Sequence, residues 1–182
     1  MKINIDRLIS NKKYCEEVFK LFIKKKVIRE NKLKFFGKHI NKALSNLEFA
    51  NFLLEEHKNS IKEKLPNKTF YDWCIIIYYY AIYHTALALT TKAGYESKNH
   101  IATITAITLL YYHKDNILKK EEIEFLIEKI SLEKNDINLV FDSKELRERA
   151  SYGVDQSFEL KQTMALKKEA VDFVNKIRGL IE

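Results

Sequence analysis

Apolar positions recur along this chain at helical rather than strand spacing. In residues 38–65, Ile40, Ala43, Leu44, Leu47, Ala50, Leu54 and Ile61 fall at i, i+3, i+4 and i+7, which predicts one long amphipathic helix. Pro66 ends it, because the residue ahead of a proline is held away from helical angles. Residues 6–30 predict an earlier helix, with Cys15, Val18, Phe19, Phe22, Ile23 and Val27 on one face and the lysines 24–26 on the other. Residues 97–113 predict another, carrying Ile101, Ile104, Ile107, Thr108 and Tyr111 inward and open to capping by Ser97 or Asn99. A shorter helix is expected over residues 119–130. No element is expected over 131–142, and a further helix is expected over 143–151. A bend is expected at Tyr152-Gly153, and a long amphipathic helix over 159–181 aligns Ala170, Val174, Ile177 and Ile181.

The pattern changes over residues 73–91, which hold the longest uncharged run, 19 residues between Asp72 and Lys92. A helix is expected over 69–93, with Gly94 as its C-terminal cap. The run nearly reaches the length that spans a bilayer. Yet it contains four tyrosines, three threonines and His84, and its tyrosines sit mid-segment rather than at the ends where a membrane interface would place them. A lone span would leave those hydroxyls unpartnered in hydrocarbon, so the run is read as the buried helix that the amphipathic ones cover.

Four glycines and one proline in 182 residues are too few turn-formers for a sandwich or barrel of short strands. The expected fold is an all-α, up-and-down bundle of about five to seven helices in a single domain, 1–182. Cys15 and Cys74 lie within apolar helical patterns and read as small core residues of a reducing compartment. The start of the chain lacks the apolar stretch of a signal peptide, which places the protein in the cytoplasm. With 32 Lys+Arg against 25 Asp+Glu the net charge is +7, a mild bias toward anionic partners, RNA first among them. Only five of the basic residues are arginine, and scattered lysines equally serve solvation.

Phosphate-binding glycine loops, HExxH, CxxC pairs and GxSxG are all missing, which removes the commonest metal and cofactor enzymes; no metal and no cofactor is expected. What remains is an ordered set of motifs. Tyr79-Tyr80-Ala81-Ile82-Tyr83-His84-Thr85-Ala86-Leu87-Ala88-Leu89 is followed by Gly94, then Lys98-Asn99-His100, then Arg147-Glu148-Arg149-Ala150-Ser151-Tyr152. The set resembles the HEPN family (higher eukaryotes and prokaryotes nucleotide-binding), in particular its small prokaryotic members, and covers residues 38–181, leaving 1–37 as an added N-terminal helical extension.

The resemblance implies a four-helix core that commonly dimerises. It also implies binding of RNA or nucleotide and, in many members, metal-independent RNA cleavage. An arginine there stabilises charge on phosphorus, and a histidine four to six residues later moves the proton. Other members bind without catalysis, or act as toxins neutralised by a nucleotidyltransferase partner encoded alongside. Carried onto this chain, Arg147 would contact phosphate with Tyr152 and His84 as further catalytic candidates, and Arg149, Lys98 and His100 would help bind nucleotide or nucleic acid. Tyr152 also has the alternative of accepting a nucleotidyl group from such a partner. The chain departs from the family pattern at one point: no histidine follows His113, and Ser151 stands where the family has an acidic residue. A non-catalytic interaction or dimerisation module is the competing expectation. For individual residues the bland readings are a core histidine bonded to a neighbouring helix for His84 and an N-terminal cap for His100. Salt bridges for the arginines and surface positions for His39, His57 and His113 complete that reading.

Overall fold

The computed structural model describes residues 3–31, 35–57, 59–65, 68–130 and 160–181. The helix expected over 143–151, the irregular stretch 131–142 and the bend at Tyr152-Gly153 lie outside these residues. In chain order the elements are helices α1 (Ile5–Ser10) and α2 (Lys12–Lys24), strand β1 (Ile28–Glu30), helices α3 (Phe36–Glu56), α4 (Ser60–Lys64) and α5 (Tyr71–Lys92), strand β2 (Tyr95–Ser97) and helix α6 (His100–Ile107). Helix α6 runs on as a π-helical segment, Thr108–Lys114, and is followed by α7 (Lys120–Ile130) and a last long helix, Leu160–Ile181, called α8 here. The architecture is all-α, with one two-stranded sheet at its edge.

Helix α5 is the centre, because it has no polar face to give to solvent over most of its length. Cys74, Ile75, Tyr78, Tyr79, Ala81, Ile82, Thr85, Ala86, Ala88 and Leu89 are all buried. It is the one helix among the described residues long and apolar enough to cross a membrane, yet 67% of its most apolar window is covered by the rest of the fold. Helix α3 packs antiparallel along it, through small residues on both sides: Ala43 and Ala50 face a helix whose Ala81 and Ala88 are themselves fully buried. The contacts fix the direction. His57, at the C-terminus of α3, stacks on Tyr71 at the start of α5, with ring centroids 4.3 Å apart. Further along, the Cys74 thiol donates to the Ala50 carbonyl and Tyr78 donates to Asn51 Oδ1 at 2.8 Å.

Helix α8 lies against α5 and α3 through Leu166, Ala170, Phe173, Val174 and Ile177, the stripe expected for it. Helix α7 is tied to α8 by Phe125 on Phe173 and by the buried Lys129, whose ammonium sits 2.7 Å from Glu128 and 3.0 Å from Glu169. Burial alone would lower the Lys129 pKa, but the two carboxylates more than offset it and the pKa is raised.

The N-terminal segment does not form the single helix expected over residues 6–30. The Asn11 side chain accepts from the Tyr14 N–H at 2.9 Å, capping α2 and ending α1 one residue earlier. Helix α2 stops at Lys24, and Ile28, 1% exposed, enters a strand instead. Strand β1 pairs antiparallel with β2 in the register Ile28↔Ser97, Arg29↔Glu96 and Glu30↔Tyr95. The partner strand exists because Gly94 takes a left-handed φ of 86°, as expected of the residue that ends α5, and turns the chain back.

Two other expected helices are shorter than their apolar patterns. The helix of residues 38–65 breaks after His57, which is 6% exposed rather than a surface residue: its Nε2 accepts the Phe70 N–H at 2.6 Å and so anchors the return into α5. The helix of residues 97–113 begins only at His100, since residues 95–97 are claimed by the sheet, and Asn99 rather than Ser97 is its cap. His113 is not a surface group either; its Nε2–H donates to the Leu8 carbonyl at 2.8 Å and joins the π segment to α1. Cys15 and Cys74 are buried as expected, and burial, first, pushes each thiol up to about 12.

Candidate functional site

Two groups of ionisable and aromatic side chains flank the middle of α5. On the α3 side, His84 Nδ1 lies 3.4 Å from His39 Nδ1, with ring centroids 5.7 Å apart and ring planes inclined by 26°. His84 shares a helical stripe with Ile77 and Tyr80, and the antiparallel register of α3 and α5 brings His39 opposite it. Both rings are half-buried. Burial lowers the His39 pKa despite the negative charge of Glu96, and burial, then His39, then Lys42 lower that of His84. The pair therefore favours neutral imidazoles.

On the α6 side, the Tyr79 hydroxyl is 2.7 Å from His100 Nε2, and the Tyr83 ring stacks on the same imidazole with centroids 4.4 Å apart. His100 is the first residue of α6, positioned by the Asn99 side chain, which accepts the Ala102 N–H at 2.9 Å. The expectation that His100 caps the helix is thus replaced: Asn99 caps, and the imidazole turns back onto α5. Tyr83 hydrogen-bonds Thr103, whose hydroxyl meets Ser97 Oγ at 2.6 Å; burial nonetheless raises the Tyr83 pKa. Lys98 is exposed beside this cluster, with its backbone N–H bonded to the Val27 carbonyl at 3.0 Å.

Among the residues expected to form a site, the structure brings His84 and His100 to opposite edges of one helix and sets Lys98 next to His100. Arg147, Arg149 and Tyr152 lie outside the described residues. His39 was expected at the surface, yet it is the nearest ionisable neighbour of His84. Its signal was present in the sequence: His39, Asn46 and Leu53 follow one another at intervals of seven along the border of the apolar stripe of α3, where side chains meet a neighbouring helix. The Asn46 amide Nδ2 is buried without a hydrogen-bond partner among the described residues, a costly arrangement for a donor.

Hydroxyl, imidazole and ammonium groups of this kind can bind phosphate, stack on a base, or shuttle a proton between neutral and charged imidazole. Among the described residues no group of three or more His, Cys, Asp or Glu side chains is placed to hold a metal ion. No protein-family model matches the chain, and comparison with curated proteins finds no match either.

Proposed function

We propose that this is a HEPN-type helical protein of the cytoplasm that binds RNA or nucleotide along the α5–α6 edge. The observation that carries the reading is the Tyr79–Tyr83–His100 cluster beside the exposed Lys98, on the segment that bears the family-like motif. Aromatic and imidazole faces accept bases, and the positive balance of the chain, +7, favours the phosphate backbone. In this reading Arg147 contacts phosphate and Arg149 adds charge. The chain acts as a homodimer, as the toxin component of a two-gene system with a nucleotidyltransferase partner. Any RNA cleavage is metal-independent and uses a degenerate motif in which His84 and Tyr152 replace the missing histidine.

The test is incubation of the purified protein with total RNA in the absence of added metal, alongside Arg147→Ala, with binding measured across a salt series. Cleavage lost in the variant supports the enzyme. Binding without cleavage that weakens steeply with salt supports the binder, and neither activity at high protein concentration defeats both.

One observation favours the competing reading, a non-catalytic protein-interaction module. Phe49 and Phe52 on α3 and Trp73 on α5 are 55%, 60% and 55% exposed, and Phe49 and Trp73 each adjoin a residue of the Ala50–Cys74 contact. Large exposed apolar side chains grouped on one region of a fold mark interfaces more than solvated surfaces. That module would form a stable complex or dimer insensitive to Arg147→Ala.

A further inference from the structure

We infer that His39 and His84 together form a seat for a divalent transition-metal ion of the class that prefers imidazole, namely copper, nickel or zinc. The inference stands on the α3–α5 geometry and not on the RNA reading. Two imidazole nitrogens 3.4 Å apart can share either a proton or a metal ion. As a hydrogen bond the separation is long, since such bonds cluster at about 2.9–3.0 Å between heavy atoms. As a chelate bite it fits: nitrogens each about 2.0–2.1 Å from an ion, at the tetrahedral angle, stand about 3.3 Å apart.

The nitrogens also approach each other more closely than the ring centroids, which are 5.7 Å apart, so the two Nδ1 edges face inward. An ion must lie off the line between them, which requires each ring to swing so that its lone pair points to a common apex. Histidine χ2 is a broad torsion, and both rings are half-exposed, so that swing meets little resistance. The ligands come from two different helices, which fixes the bite through the packing of α3 on α5.

The electrostatic surroundings are balanced. Glu96 places a carboxylate near His39, and Lys42 places an ammonium near His84. The preference of both rings for the neutral form, the form that ligates a metal, agrees with this arrangement. Two protein nitrogens leave the remaining positions on the ion to water or to an anionic ligand, as in metal sites that keep an open face.

The experiment uses the full chain, dialysed against a chelator and titrated with cupric, nickel and zinc chloride, followed by calorimetry, thermal unfolding and, for copper, electron paramagnetic resonance. The expected result is saturable binding of a single ion, tightest for copper, with an upward shift in Tm and a copper spectrum split by two imidazole nitrogens. His39→Gln and His84→Gln should each lose the shift and the two-nitrogen signature, while Lys42→Ala keeps both. Absence of saturable binding to the wild-type chain overturns the inference. So does a wild-type copper spectrum lacking the two-nitrogen pattern, a result that needs no variant to fold. Binding that persists unchanged in folded His39→Gln and His84→Gln, with both circular dichroism spectra intact, overturns it as well.

Discussion

The Tyr79 hydroxyl stands 2.7 Å from Nε2 of His100, so the middle of α5 and the first residue of α6 are joined by a polar contact at the edge of an otherwise apolar core. Tyr79 is 3% exposed, and its ring is held by burial while its oxygen reaches the imidazole. A buried phenol needs such a partner, because an unmet hydroxyl in the core costs more than the bond itself contributes. Tyr79→Phe removes the oxygen and leaves the ring. The expected loss is about 0.5–1.5 kcal/mol, read from the urea midpoint at unchanged m-value. A larger loss accompanied by a changed m-value would mean that the contact orders more of the chain than these two residues.

The position of that imidazole depends on Asn99. Its side chain satisfies the Ala102 N–H at the start of α6, and the Thr103 hydroxyl bonds the Asn99 carbonyl at 3.0 Å. Asn99→Ala should cost about 1 kcal/mol, whereas Asn99→Gly should cost only a few tenths. If the Tyr79–His100 contact relies on the cap, the histidine ring resonances of His100 will shift in Asn99→Ala by NMR and those of His57 will not.

The His39–His84 pair makes stability depend on pH in the mildly acidic range. Both folded-state pKa values lie below the ordinary histidine value of 6.5, so near and below 6.5 the unfolded chain binds more protons than the folded one. The resulting stability is fully present above 6.5 and is lost as pH falls through the folded values. Unfolding free energy measured from pH 7.5 down to 5 should therefore decline, and His84→Gln should flatten the decline. A variant whose slope matches the wild type would assign the pH dependence to other groups.

The N-terminal helices share one core with the rest of the chain. Leu8 is fully buried, Ile28 is 1% exposed, and the Cys15 thiol reaches the Thr105 carbonyl on α6. Leu8→Ala should cost about 2–5 kcal/mol and shift a single unfolding transition. Two separate transitions, with only the weaker one moved by the substitution, would instead make residues 1–37 an independent appendage.

The periodic apolar stripes of α3, α7 and α8 and the uncharged run of α5 were legible in the sequence because each is a local pattern: its phase is written in neighbouring residues and survives whatever it packs against. Gly94 was legible for the same reason, as a residue whose allowed angles end a helix. The residues with local rules therefore determined an all-α fold with α5 at its centre.

What the tertiary structure decided is where local rules tie or are silent. Ile28 fits a helix or a strand equally well, and it became a strand only because residues 95–97, far along the chain, offered an edge to pair with. His57 and His113 read as surface residues until the Phe70 N–H and the Leu8 carbonyl supplied partners from other elements. The same holds for the candidate site. His84 was visible as an oddity in an apolar run, but its neighbour His39 comes from a helix 45 residues earlier, and no spacing in the sequence encodes that encounter. Only the antiparallel packing of α3 on α5, set by small buried alanines, brings the two imidazoles edge to edge.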